Sequence, residues 1–210
     1  MGRMLNSKKI AITGGISSGK STFCGFLKKM GAIVVDADQI VHDLLSSSQT
    51  LLGRQVIHLL GKEVRVGRKI DRKKVATEVF NNPKKLNALE KLLHPYAFKE
   101  IEQRYQKERL KGKDFIFVVE IPLLFETKKE KEYDIIVTLV RAEETCRSLC
   151  KNIDYNARTS RLLSIEEKKK KSHFVIENNG SLKDLKRKAQ SFMKSLSVLI
   201  KNPFLPKGVP

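Results

Sequence analysis

The chain has 210 residues, 40% hydrophobic and 31% charged, with a formal net charge of +19. That length suits one domain carrying insertions, large enough to bury a core without disulfides or metal, and the composition excludes a disordered chain. No apolar run approaches the roughly 20 residues that span a bilayer as a helix. The positive charge attracts polyanions, but it is spread over residues 84–113, 141–173 and 181–210, which fits a solvated lysine-rich surface.

In chain order, Lys9-Ile10-Ala11-Ile12-Thr13 reads as a buried strand. It runs into Gly14-Gly15-Ile16-Ser17-Ser18-Gly19-Lys20-Ser21-Thr22, followed by a helix to Met30, with Gly31 as its stop. Ile33-Val34-Val35 is a second strand, ending at Asp36-Ala37-Asp38. A strand–loop–helix–strand unit implies a parallel pair with a right-handed crossover. From Gln39 to about Lys113 the pattern is helical without a convincing strand, broken at Gly53, Gly61, Gly67 and Asn81-Asn82-Pro83. Within it, Lys84 to Leu110 is a long helix interrupted or bent at His94-Pro95. Phe115–Glu120 and Asp134–Val140 are near-continuous apolar strands, as in a parallel sheet covered on both faces. Residues 143 to about 171 are charged and helical, Phe174-Val175-Ile176 is a fifth strand, and Ser181 caps a last helix to about Lys201. The tail from Asn202 holds three prolines and reads as loose.

The start of the chain shows no apolar stretch of signal-peptide length, and Asn6 fails the myristoylation pattern. Cys24, Cys146 and Cys150 suit a reducing compartment, so a cytoplasmic location is expected. Cys146 and Cys150 share a helix face, but no further Cys or His lies nearby to complete a metal site.

Gly14-x4-Gly19-Lys20-Ser21 is the phosphate-loop pattern, set between a strand and a helix. Gly14, Gly15 and Gly19 let the backbone approach phosphate oxygens, and the amides of Ser17, Ser18 and Thr22 with the helix N-terminus face the anion. Lys20 reaches the β- and γ-phosphates, and the Ser21 hydroxyl faces the bridging Mg²⁺. ATP or GTP is thus the expected ligand. No N-K-x-D segment reads a guanine base as in switch GTPases, and the two helical insertions favour a small kinase. Asp36 and Asp38 stand at the carboxyl end of the second strand, the ligand edge of an open parallel sheet. Either can orient and deprotonate a hydroxyl or hold Mg²⁺ through water, and spacing alone does not assign the roles. Glu120 ends another strand at that edge, where a water-mediated metal contact and a purely structural acid are both open.

The phosphate loop, Asp36-Ala37-Asp38, Leu93-His94-Pro95, Pro122-Leu123-Leu124-Phe125-Glu126 and Val175-Ile176-Glu177-Asn178-Asn179-Gly180 come in this order, and together they resemble the dephospho-coenzyme A kinase family. The likeness runs from about Lys9 to about Leu199. It implies an α/β P-loop kinase fold with a five-stranded, mostly parallel sheet flanked by helices. It also implies transfer of the γ-phosphoryl of ATP, with Mg²⁺, to the ribose 3′-hydroxyl of dephospho-coenzyme A. The division expected is a nucleotide-binding core (1–38, 114–142, 173–201), a helical acceptor region (39–113) and a lid (143–172). The resemblance makes Asp38 the catalytic base, with Asp36 supporting Mg²⁺ or the loop. Asn178 and Gly180 join the ATP site, while His94, Leu123, Phe125 and Glu126 fall on the acceptor side.

The lid departs from the family. Arg147 matches, but the next arginine appears as Lys151 and the glutamine position as Arg161, leaving Arg147, Arg158 and Arg161 as candidates for the transferred phosphoryl. Lysine offers a point charge where arginine grips phosphate with two bonds. The rival readings are a small kinase for another nucleotide or nucleoside, and a basic nucleic-acid-binding protein holding ATP as a structural ligand. Against the latter, the chain has no RRM, KH or zinc pattern and no aromatics interleaved with its lysines. ATP and dephospho-coenzyme A are the expected partners, without membrane or specific nucleic acid. Oligomeric state is not legible.

Overall fold

The computed structural model describes residues 7–80, 82–150 and 155–201, with 157, 158 and 199–201 by backbone alone. The expected loose tail and Lys151 lie outside the described residues. The elements are β1 (Lys8–Gly14), α1 (Lys20–Lys29), β2 (Ile33–Asp36), α2 (Ala37–Leu44), α3 (Leu51–Leu60), β3 (Arg65–Val66), β4 (Lys69–Ile70) and α4 (Arg72–Phe80). Then follow α5 (Pro83–Arg109), β5 (Ile116–Glu120), β6 (Ile135–Val140), α6 (Glu143–Leu149), α7 (Tyr155–Thr159), α8 (Ile165–Lys171), β7 (Phe174–Glu177) and α9 (Leu182–Lys201). The chain divides into two compact units, Met1–Val35 with Lys107–Pro210, and Asp36–Gln106. No helix among the described residues is long and apolar enough to cross a membrane.

The first unit is built on a five-stranded sheet of order β2-β5-β1-β6-β7. β1 pairs in parallel with β5 and β6, and β6 with β7. Central strands are apolar on both faces because helices cover both, and Ile10, Ala11, Ile12, Phe117, Val118 and Val119 are fully buried. One covering layer is α1 with α9. On α9 the buried residues Leu185, Ala189, Phe192 and Leu196 recur at helical spacing and meet Phe23, Cys24 and Leu27 of α1. The Phe192 ring lies 6.0 Å from Phe23 and edge-on to Phe174 at 5.4 Å. Ser181 caps α9 as expected. Its hydroxyl accepts the Asp184 amide, and the Asp184 carboxylate accepts the Ser181 amide in return. Because β1 pairs Ile12 with Glu120 and Gly14 with Leu139, the carboxyl ends of β5 and β6 are brought to the loop after β1.

The second unit has its own core, with Leu45, Leu52, Val56, Leu60, Val64, Ile70, Val75, Val79, Leu89 and Leu93 buried together. Three expectations for this stretch need correction. β3 and β4 form an antiparallel hairpin turning at Gly67, where a strandless segment was expected. Gly53 does not break a helix but lies inside α3, where a Cβ would stand 2.2 Å from the Ser47 carbonyl oxygen. α5 is one continuous helix with Pro95 inside it, so of the interruption or bend expected at His94-Pro95 the interruption does not occur. Its buried face, Leu89, Leu93, Ala97 and Ile101, carries the helix past a residue that lacks a backbone donor.

Candidate active site

Between β1 and α1 the chain makes a tight loop from Gly14 to Gly19. Gly14 has φ +144, and a Cβ there would lie 2.2 Å from the Leu139 carbonyl oxygen of β6. Gly19 has φ +94 and precedes α1, and a Cβ there would lie 2.3 Å from Asn178 Nδ2. Both positions therefore exclude larger residues on two counts. Gly15 lies outside the positive-φ region, whereas Ser17 enters it with φ 55. Gly19 supplies no capping side chain to α1 and the first turn contains no acid, which leaves the positive end of the helix facing the loop.

Lys20, 9% exposed, curls back over this loop, donating to the Gly15 carbonyl at 2.7 Å and to that of Gly14 at 3.4 Å. The Ser21 hydroxyl donates to Glu120 Oε1 at 2.7 Å. Glu120 is buried at the end of β5, and the parallel register sets it opposite Ile12, just before the loop. A hydroxyl and a carboxylate, both hard oxygen donors, fit Mg²⁺, which takes few protein ligands when phosphates complete its shell. Among the described residues no cluster of three or more His, Cys, Asp or Glu forms a metal site made of protein alone.

The ends of β6 and β7 buttress the loop from behind. Asn178, 3% exposed, donates from Nδ2 to the Ser18 carbonyl at 2.9 Å. Arg141, just after β6, donates from Nε to the Asn178 carbonyl at 2.8 Å and from Nη1 to that of Ser17 at 3.5 Å. Asn178 thus holds the backbone of the loop between β1 and α1. Gly180 lies beyond it, exposed, beside Asp184. Arg141 escaped the sequence reading; its only signal is a charged residue directly after a buried strand. Ser17 Oγ and Cys150 Sγ are 3.2 Å apart. Burial pushes the Cys146 thiol up, with Arg141 and then Lys20 among the charges that oppose it.

In the segment expected as a lid, Arg147 stacks over Tyr155, 4.7 Å from the ring centre. It bonds Glu143 through Nε and Nη2 and Asn156 through Nη1. It thereby joins α6 to α7 while staying half exposed. Arg161 is exposed. The Arg158 side chain and Lys151 lie outside the described residues. After β5, Leu123 is half-buried, Leu124 is fully buried and Phe125 is 7% exposed, with Lys171 Nζ 6.0 Å from its ring centre. Glu126, expected on the acceptor side, is paired with Lys168 Nζ at 2.9 Å and accepts the Leu163 amide at 2.8 Å.

The remaining candidates belong to the second unit. Asp36 caps α2, its Oδ1 accepting the amides of Asp38 at 2.8 Å and Gln39 at 3.2 Å. Asp38 is exposed in the first turn of α2. His94 is half-buried on α5, its ring 6.3 Å from Phe98 and edge-on to it. Burial holds its pKa below the ordinary value, with Glu90 pulling the other way.

A family model described as dephospho-CoA kinase matches residues 8–184. The chain is 38% identical over 204 residues to the dephospho-CoA kinase of Protochlamydia amoebophila, an alignment covering 94% of this chain and 100% of the relative. The chain belongs to the dephospho-CoA kinase family. The dephospho-CoA kinase of Chlamydia pneumoniae is 37% identical over 199 residues, covering 92% of this chain and 98% of the relative. The solved dephospho-CoA kinase of Campylobacter jejuni aligns with a TM-score of 0.68 at 26% identity, covering 91% of this chain and 98% of its own. A Thermus thermophilus crystal structure aligns at 0.70 and 30%, covering 90% and 98%. The fold is therefore the α/β P-loop kinase fold, and kinase, transferase and coenzyme A biosynthesis follow from the family.

Proposed function

We propose that this chain phosphorylates the ribose 3′-hydroxyl of dephospho-coenzyme A with ATP, in the cytoplasm, completing coenzyme A. The carrying observation is the phosphate loop with its Ser21–Glu120 pair, set in a chain that the dephospho-CoA kinase family model matches over residues 8–184. Loop amides and the α1 N-terminus hold the phosphates of ATP. Lys20, which donates to the Gly14 and Gly15 carbonyls, exchanges them for phosphate oxygens, because these carry a charge opposite to its own. Ser21, with Glu120 behind it and water between, would hold Mg²⁺, which when bound neutralises charge on the phosphates.

Transfer proceeds in line through a loose transition state, so the chain acts mainly by positioning and charge stabilisation. Asp38 aims the 3′-hydroxyl and accepts its proton. Asp36 fixes the turn that presents Asp38, since its carboxylate caps the same helix, and would support Mg²⁺ or the loop. Arg147 and Arg161 supply positive charge from the lid, and His94, Leu123 and Phe125 contact the acceptor.

The test is labelled ATP against a panel of dephospho-coenzyme A, nucleosides and nucleoside monophosphates. Label is expected in coenzyme A. Label in another nucleotide, with none in coenzyme A, refutes the reading.

A further inference from the structure

Lys168 opens a run of four lysines, yet its side chain is fully buried. Its ammonium lies 2.9 Å from Glu126 Oε1 and donates to the Pro122 carbonyl at 3.2 Å. The same Oε1 accepts the Leu163 amide at 2.8 Å. The same Pro122 carbonyl accepts the Thr13 hydroxyl at 3.2 Å, and Thr13 directly precedes Gly14. The far end of α8 is tied to β6, because Ser172 Oγ donates to the Lys168 carbonyl at 2.7 Å and lies 2.6 Å from Thr138 Oγ1. At the near end, Ile165 Cδ1 comes within 3.2 Å of where a Cβ on Gly15 would stand. The first residue of α8 thus packs directly on the phosphate loop.

Stability does not explain the pair. An apolar pair of the same volume fills such a space without taking two charges out of water, and is often as stable or more so. Glu126 Oε2 adds to the cost, being buried without a hydrogen-bond partner among the described residues. What the pair supplies is direction. Two opposite charges bound to named backbone groups hold α8 in one register on residues 122–126, where apolar side chains tolerate several.

We propose that Lys168 and Glu126 are positioning residues for phosphoryl transfer. Their ion pair seats α8, and α8, through Ile165, sets the wall of the phosphate loop at Gly15 and keeps water away from the γ-phosphoryl group. The proposal rests on the kinase reading above. Its signature is the partition of ATP between transfer to the acceptor and hydrolysis to ADP and phosphate.

The experiment uses the full chain as wild type, Lys168→Met, Glu126→Gln, and the double variant Lys168→Met with Glu126→Leu. Transfer of label to dephospho-coenzyme A is measured beside phosphate release without acceptor and the melting temperature. Each single variant leaves one buried charge alone and is expected to melt lower. The double variant leaves none and is expected to melt near wild type. Transfer in it should nonetheless be about tenfold slower or more, with hydrolysis rising relative to transfer, since small misplacements at a reacting group cost that much. A stable double variant with wild-type rate and wild-type partition overturns the proposal. Should the pair variants not fold, Ile165→Ala keeps the ion pair and is expected to raise hydrolysis relative to transfer in the same way. A wild-type partition there overturns the proposal equally. Wild-type transfer tests the kinase reading by itself, and acceptor-free phosphate release reports on the pair whatever the acceptor.

Discussion

Asn178 donates its side-chain amide to the Ser18 carbonyl at 2.9 Å, joining the end of β7 to a loop 160 residues earlier. The bond is buried, so its removal leaves the Ser18 carbonyl without that partner, at a cost of about 1–3 kcal/mol. Asn178→Ala is expected to lower the melting temperature and to weaken ATP binding about tenfold, read by calorimetry. Gly19→Ala is expected to be worse, since its Cβ would meet the same amide at 2.3 Å in a left-handed backbone. Unchanged ATP affinity in Asn178→Ala would detach β7 from nucleotide binding.

Lys20→Ala is expected to fold normally, because the Lys20 ammonium lies against loop carbonyls and not in the apolar core. Loss of its charge should slow transfer about 10²–10³-fold. Ser21→Ala removes the donor of the 2.7 Å pair and Glu120→Gln removes its charge, and each should raise the Mg²⁺ concentration needed for half-maximal rate. Steady-state rates titrated with Mg²⁺ separate the two effects. Near-normal turnover in Lys20→Ala would refute the loop chemistry.

Asp36 and Asp38 separate by stability as well as by rate. Asp36→Ala removes the cap of α2 and should cost about 1 kcal/mol, whereas Asp36→Asn caps nearly as well. Asp38→Asn should leave the melting temperature unchanged and cut turnover sharply with little change in dephospho-coenzyme A affinity. A fully active Asp38→Asn beside a dead Asp36→Asn would exchange the two roles.

Acid should destabilise the chain in part through His94. Burial lowers its folded-state pKa, so the unfolded chain binds its proton first as pH falls. Its contribution to stability is therefore present above the unfolded value of about 6.5 and is lost as pH drops below it. The slope cannot exceed about 1.4 kcal/mol per pH unit for one proton, and partial exposure keeps it smaller. Urea titrations at several pH values should show a shallower acid loss in His94→Gln. An identical slope would remove His94 from the account.

The five core strands, the phosphate loop and the Ser181 cap are legible in the sequence because each rests on a local signal: an unbroken apolar run, a glycine spacing, a serine before an amphipathic stretch. The β3–β4 hairpin is not, since two strands of two residues carry no alternation. Gly53 reads as a break, and His94-Pro95 as a break or a bend, because local propensity disfavours glycine and proline in helices; tertiary packing carries both helices through. Lys168 is hidden most deeply. A run of lysines signals a solvated face, and only its packing against Glu126 and Pro122 shows that the first of the four is buried. Arg141 and Asn178 act on backbone carbonyls remote in sequence, a relationship no spacing rule encodes.

The most direct test of the central claim is a single-turnover reaction of the wild-type chain with γ-labelled ATP, Mg²⁺ and dephospho-coenzyme A, the product being analysed for the position of the label. The account predicts one labelled product, coenzyme A with the phosphoryl group on the ribose 3′-oxygen, and its loss in Lys20→Ala. Label recovered only as inorganic phosphate, or on a different acceptor oxygen, would contradict it.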